Sequence, residues 1–125
     1  MRSSTVSCGF TYEPACINRH INPQGLLLSA VNTCMTVGYS AVGALMGIAS
    51  ESLEIETRGE IDLRGFFGLD QTVPAGCSEL RHTVRIKADA TEEQLHQLHA
   101  AVQATSPNVY NLARPVPMQA ELVIQ

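Results

Sequence analysis

From Ile21 to Ser50 the chain carries no charged residue, a run of 30 positions within a sequence of 125. Two structures absorb such a run: a membrane span of about 20 apolar residues, or a helix buried in a protein core. Gly43 and Gly47 even have the G-x-x-x-G spacing of membrane helix pairs. Against a span, Ser29, Asn32, Thr33, Thr36, Tyr39 and Ser40 are scattered through the segment, and the flanks lack a Lys/Arg bias. Asn22 followed by Pro23 is instead a helix start, a capping side chain before a residue with no amide hydrogen to lose. The run therefore predicts a central core helix and no membrane partner. Its small residues (Ala30, Gly38, Ala41, Gly43, Ala44, Gly47) let other backbones approach closely.

The rest of the chain alternates between two periods. Residues 1–21, with Pro14 and two cysteines, read as one short strand or an irregular arm. Leu53 to Thr57 alternates with period two, and so does Ile61 to Arg64, giving strand that is broken or bulged near Gly59. Gly65 to Gly76 is loop-like. Leu80, His82, Val84, Ile86 and Ala88 alternate with Arg81, Thr83, Arg85 and Lys87, a second clear strand. Thr91-Glu-Glu-Gln94 is a capping box, followed by Leu95, Leu98, His99 and Val102 at helical spacing. Ser106-Pro107 stops that helix and caps a short next one through Asn111. Val116, Met118, Ala120, Leu122 and Ile124 alternate as a closing strand. The order predicts one α+β domain over 1–125, with helices on an antiparallel sheet.

The net charge is −4 and no Lys/Arg cluster exists, which argues against nucleic acid or an anionic membrane as partner. The four cysteines, Cys8, Cys16, Cys34 and Cys77, form no C-x-x-C pair and no zinc-type spacing. Cys16 with His20 makes half a metal site without a second half. His96 and His99, at i and i+3, have no acidic or cysteine partner at matching spacing, so a helix surface is the simpler reading. No metal and no cofactor are expected. The first residues lack the apolar core of a signal peptide, so a cytoplasmic protein with free thiols is expected.

Four stretches resemble the OsmC/Ohr family of osmotically induced and organic-hydroperoxide-resistance proteins. They are Asn22-Pro23-x-x-Leu26-Leu27 with a cysteine twelve residues after the asparagine at Cys34; Gly59 through Asp70; Leu80 through Ile86 followed by Thr91 through Leu95; and Ser106-Pro107 leading to Pro115-Val-Pro117. The resemblance covers about residues 22–125, leaving 1–21 as a short arm or strand. It implies an OsmC-like fold: a long buried central helix plus a second helix on an antiparallel sheet, in an intertwined homodimer. With only 21 residues before Asn22, the family's N-terminal strands are expected to be largely missing. It also implies a thiol peroxidase, whose first cysteine attacks a hydroperoxide O–O bond and whose second condenses with the resulting sulfenic acid. Cys34 matches the first position, while Ser106 stands at the second and cannot form a disulfide. Gln24 stands where the hydroperoxide-resistance branch has a glutamate that orients a catalytic arginine.

Each of these residues also has a plainer reading. Cys34, flanked a turn away by Ala30, Val31, Val37 and Gly38, can be a small buried hydrophobe; a cation for it would come from Arg19, His20, Arg81, His82 or Arg114. Ser106 before Pro107 is most simply a helix cap, and Gln24 can satisfy free amides in a first helical turn. His82 lies on the apolar side of its strand. Cys77 replaces the resolving thiol only if its loop folds over Cys34. Phe66, Phe67, Leu69 and Met46 suit either an apolar pocket wall or a cover for the sheet. Two functions follow. One is a single-cysteine reductase of organic hydroperoxides that depends on an external thiol; the other is a non-catalytic dimer binding a small apolar ligand or serving as a structural module.

Overall fold

A computed structural model gives the architecture of residues 2–9 and 23–125. Helix α1 (Pro23–Leu45) occupies the charge-free run and begins at the proline, as the Asn-Pro start predicts. Leu28, Val31, Asn32, Met35, Tyr39 and Gly43 are its buried residues, and apart from the adjacent Val31 and Asn32 they follow at steps of three or four, so they form one stripe. By length and composition α1 could cross a membrane. Its buried stripe, however, lies on a three-stranded sheet, and Asn32 within it donates to the carbonyl of Ile55 there. The opposite stripe is open in the single chain, with Val37 63% and Leu45 89% exposed.

The sheet has the order β1 (Arg2–Gly9), β2 (Ser50–Ile61), β3 (Leu80–Ala88), with both pairs antiparallel. The short strand read in residues 1–21 is thus β1, paired from Arg2↔Ile61 to Gly9↔Glu54. Register sets the core: Leu53 faces Ile86 and Ile55 faces Val84, on the side that α1 covers. The other side is wet, where Arg85 pairs with Glu54 at 3.3 Å and Glu56 at 3.5 Å.

α1 ends in a Schellman motif. Gly47 takes φ +72°, its amide bonds the carbonyl of Ala44, and the Ile48 amide bonds the carbonyl of Gly43 at 2.8 Å. Gly47 is therefore a turn residue, and the G-x-x-x-G spacing needs no membrane to explain it. Helix α3 (Glu92–Thr105) starts at the capping box: the Thr91 hydroxyl accepts from the Gln94 amide, and the Gln94 side chain accepts from the Thr91 amide. Leu98 and Val102 of α3 join Met35, Tyr39 and Ile55 in the core. Helix α4 (Pro107–Ala113) follows directly.

Three local expectations change. β2 runs unbroken through Gly59, and its irregularity falls between Ser50 and Ser52 instead. Gly59 stays in register because a side chain there would meet Leu80 Cδ2 at 2.5 Å and Cys77 Sγ at 3.0 Å. The alternation at Ile61–Arg64 is strand only at Ile61, the last residue of β2: Asp62 accepts from the Arg64 amide at 3.0 Å and caps a single helical turn, α2 (Leu63–Phe66). A local cap outweighs a two-residue period when no neighbouring strand is there to pair. Finally, Val116–Ile124 forms no strand, and Met118 is 93% exposed. A strand's backbone needs an edge to bond, and this segment reaches none among the described residues.

Candidate functional site

Antiparallel packing of α1 against α3 brings residues 34 and 106, 72 positions apart, into contact: Cys34 Sγ lies 3.4 Å from Ser106 Oγ. Cys34 is half-buried, on the flank of α1 that turns toward α3 and α4 rather than on the stripe over the sheet. Ser106 is only 5% exposed and holds two positions at once, ending α3 and capping α4. As the cap, its hydroxyl oxygen accepts from the Val109 amide at 3.4 Å. Asn108 ties the same turn down by donating to the carbonyl of Ala30 at 3.0 Å. The plain reading of Ser106 as a cap and its place beside Cys34 are therefore both realised.

One turn further along the seam, Gly38 meets Val102, whose Cγ1 would lie 3.0 Å from a Cβ at residue 38. Beyond that, the buried Tyr39 hydroxyl bonds His99 Nδ1 in a short contact. Burial pushes the Tyr39 phenol up to about 12, so it stays neutral, and the imidazole tautomer decides which of the two donates. His82, from β3, sits on the covered side of the sheet. Burial lowers its pKa first and the charge of His99 adds to that, while a hydrogen bond from His82 to the Gln103 side chain opposes both. The Gln103 amide nitrogen is buried with no partner among the described residues.

A family model described as "OsmC-like protein" matches residues 17–121, spanning α1 through α4 and the seam. The chain belongs to the OsmC-like protein family. No curated protein sequence matches it.

Within this OsmC-like chain the other sequence-derived residues fall as follows. Gln24 is half-buried in the first turn of α1, ten residues before Cys34, a rise of about 15 Å along the helix. Contact between the two would need an intermediary. Cys77 is half-buried against Gly59 at the end of the sheet and is free, as is Cys34. The sulfur of Cys8, and Cys16, Arg19 and His20 altogether, lie outside the described residues. Of the remaining cations proposed for Cys34, Arg81 pairs with Glu79 at 2.9 Å, His82 faces Gln103, and Arg114 stacks 4.7 Å over the Tyr110 ring. Phe66 and Phe67 touch edge to face and are exposed, so among the described residues they neither wall a pocket nor cover the sheet. His96 and His99 do not act together: contrary to the expectation of no acidic partner at matching spacing, Glu92 lies four residues before His96 and 3.6 Å from it, and His99 takes Tyr39.

Two polar ties, one fully buried and one partly, went unread in the sequence. Besides donating to Ile55, Asn32 accepts a short hydrogen bond from the Thr57 hydroxyl, and both residues are almost fully buried. Tyr39 with His99 is the second. Their signal was present: polar side chains inside a charge-free helix must find partners. In the sequence they counted only as evidence against a membrane.

Proposed function

We propose that this protein is a cytoplasmic, thiol-dependent reductase of organic hydroperoxides in which Cys34 is the single peroxidatic residue. The Cys34 thiolate attacks the terminal hydroperoxide oxygen and the O–O bond breaks. The alkoxide takes a proton and leaves as the alcohol, and Cys34 becomes a sulfenic acid. Ser106 has no sulfur with which to form a disulfide. An external thiol therefore condenses with the sulfenic acid, expelling water, and a second thiol equivalent releases Cys34 by exchange. The observation that carries this reading is that Cys34 is half-buried rather than sealed, with residue 106 against its sulfur.

A homodimer is part of the reading. The open stripe of α1, through Leu26, Ala30, Thr33, Val37 and Ala41, carries no charge, so a second copy can bury it without desolvating an ion. Among the described residues, the alternating segment 116–124 has no strand partner and β3 has no strand on its outer side. A second copy meets both needs. Sedimentation should give a dimer at micromolar concentration; a monomer that persists on concentration would remove this part.

The enzyme reading is tested by following cumene hydroperoxide with a dithiol present. Wild type should consume it and Cys34→Ser should not, with a sulfenic acid trapped by dimedone at Cys34. Equal rates for the two proteins would end it. One observation favours a second reading, a non-catalytic dimer holding a small apolar ligand: Arg81, His82 and Arg114 all have partners other than Cys34. That reading predicts no turnover and no trapped sulfenic acid.

A further inference from the structure

Ser106 has one hydroxyl proton and two lone pairs. One lone pair receives the Val109 amide, and the hydroxyl is nearly sealed from solvent, so water competes little for its proton. Among the described residues Cys34 Sγ, at 3.4 Å, is its side-chain partner. With the sulfur protonated, either atom can donate. With the sulfur ionised only one direction remains, because a thiolate has no proton to give. The hydroxyl then must donate, and a hydrogen bond to the charged form favours that form. The Val109 amide assists by fixing the oxygen, and Asn108 assists by bonding α4 to the Ala30 carbonyl on α1.

We infer that Ser106 is a positioning residue for Cys34: capped in place at the α3–α4 junction, its hydroxyl donates to the Cys34 sulfur and favours the thiolate, the form that reacts. The inference rests on Cys34 being the reactive residue of the proposed function, and it gives Ser106 a part other than that of a resolving thiol. The hydroxyl neither gains nor loses a covalent bond. In this OsmC-like chain the cap supplies locally some of the stabilisation that a cation would supply from elsewhere.

The test is the rate of iodoacetamide alkylation at Cys34 as a function of pH, read by mass spectrometry so that the other cysteines do not interfere. Three variants separate the donor from the cap. Ser106→Ala loses both; Ser106→Thr keeps both; Ser106→Asp keeps a capping oxygen but, once ionised, has no proton to give and adds a negative charge. Alkylation near neutral pH should fall about fivefold in Ser106→Ala, the size of one net hydrogen bond. It should return to within about twofold of wild type in Ser106→Thr and fall further in Ser106→Asp. A Ser106→Asp protein that alkylates as fast as wild type overturns the inference, and so does a Ser106→Ala profile that superimposes on it. If Ser106→Ala does not fold, the Thr and Asp variants still decide. Alkylation needs no peroxide, so the outcomes are separable: Ser-dependent alkylation without hydroperoxide turnover loses the proposed function alone, and turnover with Ser-independent alkylation loses this inference alone.

Discussion

Gly38→Ala is expected to destabilise the protein even though it replaces glycine by alanine within a helix. In an open helix that exchange stabilises by about 1 kcal/mol. Here the new Cβ would stand 3.0 Å from Val102 Cγ1 and 3.7 Å from Cγ2. Carbon pairs are at their optimum near 3.5–4.0 Å, so Val102 must retreat by roughly half an ångström. It has little freedom to do so: it is fully buried, among residues such as Met35 and Leu98, and a β-branched side chain in a helix has one strongly preferred rotamer. Overpacking of this kind costs about 1–3 kcal/mol, so the net expectation is a loss of about 1 kcal/mol. Val102→Ala alone leaves a cavity and should cost about 2 kcal/mol. In that background the obstacle is gone, and Gly38→Ala should become stabilising by about 1 kcal/mol. The sign reversal, a coupling of about 2 kcal/mol, is the quantity to measure. Urea unfolding followed by far-UV circular dichroism suits a chain without tryptophan, at one protein concentration because association would shift the midpoint. If Gly38→Ala stabilises the wild type, or destabilises both backgrounds equally, the seam is not closed by Gly38 and Val102 as described.

Acid should weaken the fold through His82. Its pKa is lowered in the folded state, chiefly by burial, from a reference value of 6.5. A group with a depressed folded value gives its full stabilisation above the unfolded pKa and loses it as pH falls through the folded one. Urea midpoints should therefore hold steady above about pH 7 and decline below about pH 6, and His82→Gln should flatten that decline. Asn32→Ala should cost about 2–4 kcal/mol, because it strands the buried Thr57 hydroxyl as well as removing side-chain volume. Adding Thr57→Val should recover part of the loss, and simple additivity of the two would show that the pair is not coupled. Thr91→Ala should cost about 1 kcal/mol and raise amide exchange in the first turn of α3 more than in its last.

Whatever rests on local chemistry was legible in the sequence. The Pro23 start of α1, the capping box at Thr91, the stop at Ser106-Pro107 and the alternation of β3 each depend on residues within one or two turns of each other, and each formed where its residues predict. The misreadings came where two local signals competed. Ile61–Arg64 alternates like a strand, but Asp62 has the Arg64 amide and guanidinium within reach and turns the chain into α2. Gly59 was read as a break because glycine often marks one, whereas it is the one residue whose missing side chain admits Leu80 and Cys77. The segment 116–124 has a strand's pattern, but a pattern names a face and not the edge it will bond.

The candidate site was legible only through position. That Cys34 and Ser106 belong together followed from family spacing; that both face one seam required the tertiary packing of α1 on α3. The seam makes the two parts of the site mechanically one. Cys34–Ser106, Gly38–Val102 and Tyr39–His99 follow one another along the same pair of helices, so the gap at Gly38 fixes the distance available to the sulfur and the hydroxyl. At 3.4 Å that sulfur–oxygen contact has little slack, and a shift of about half an ångström in α3 would stretch it toward the limit at which such a bond is felt. The glycine is thus under two constraints. It lets the core close over Val102, and by letting α3 come near it keeps Ser106 within reach of Cys34. In Gly38→Ala, stability and the alkylation rate of Cys34 should therefore fall together, and in Gly38→Ala/Val102→Ala the alkylation rate should recover even though the double variant remains less stable than wild type.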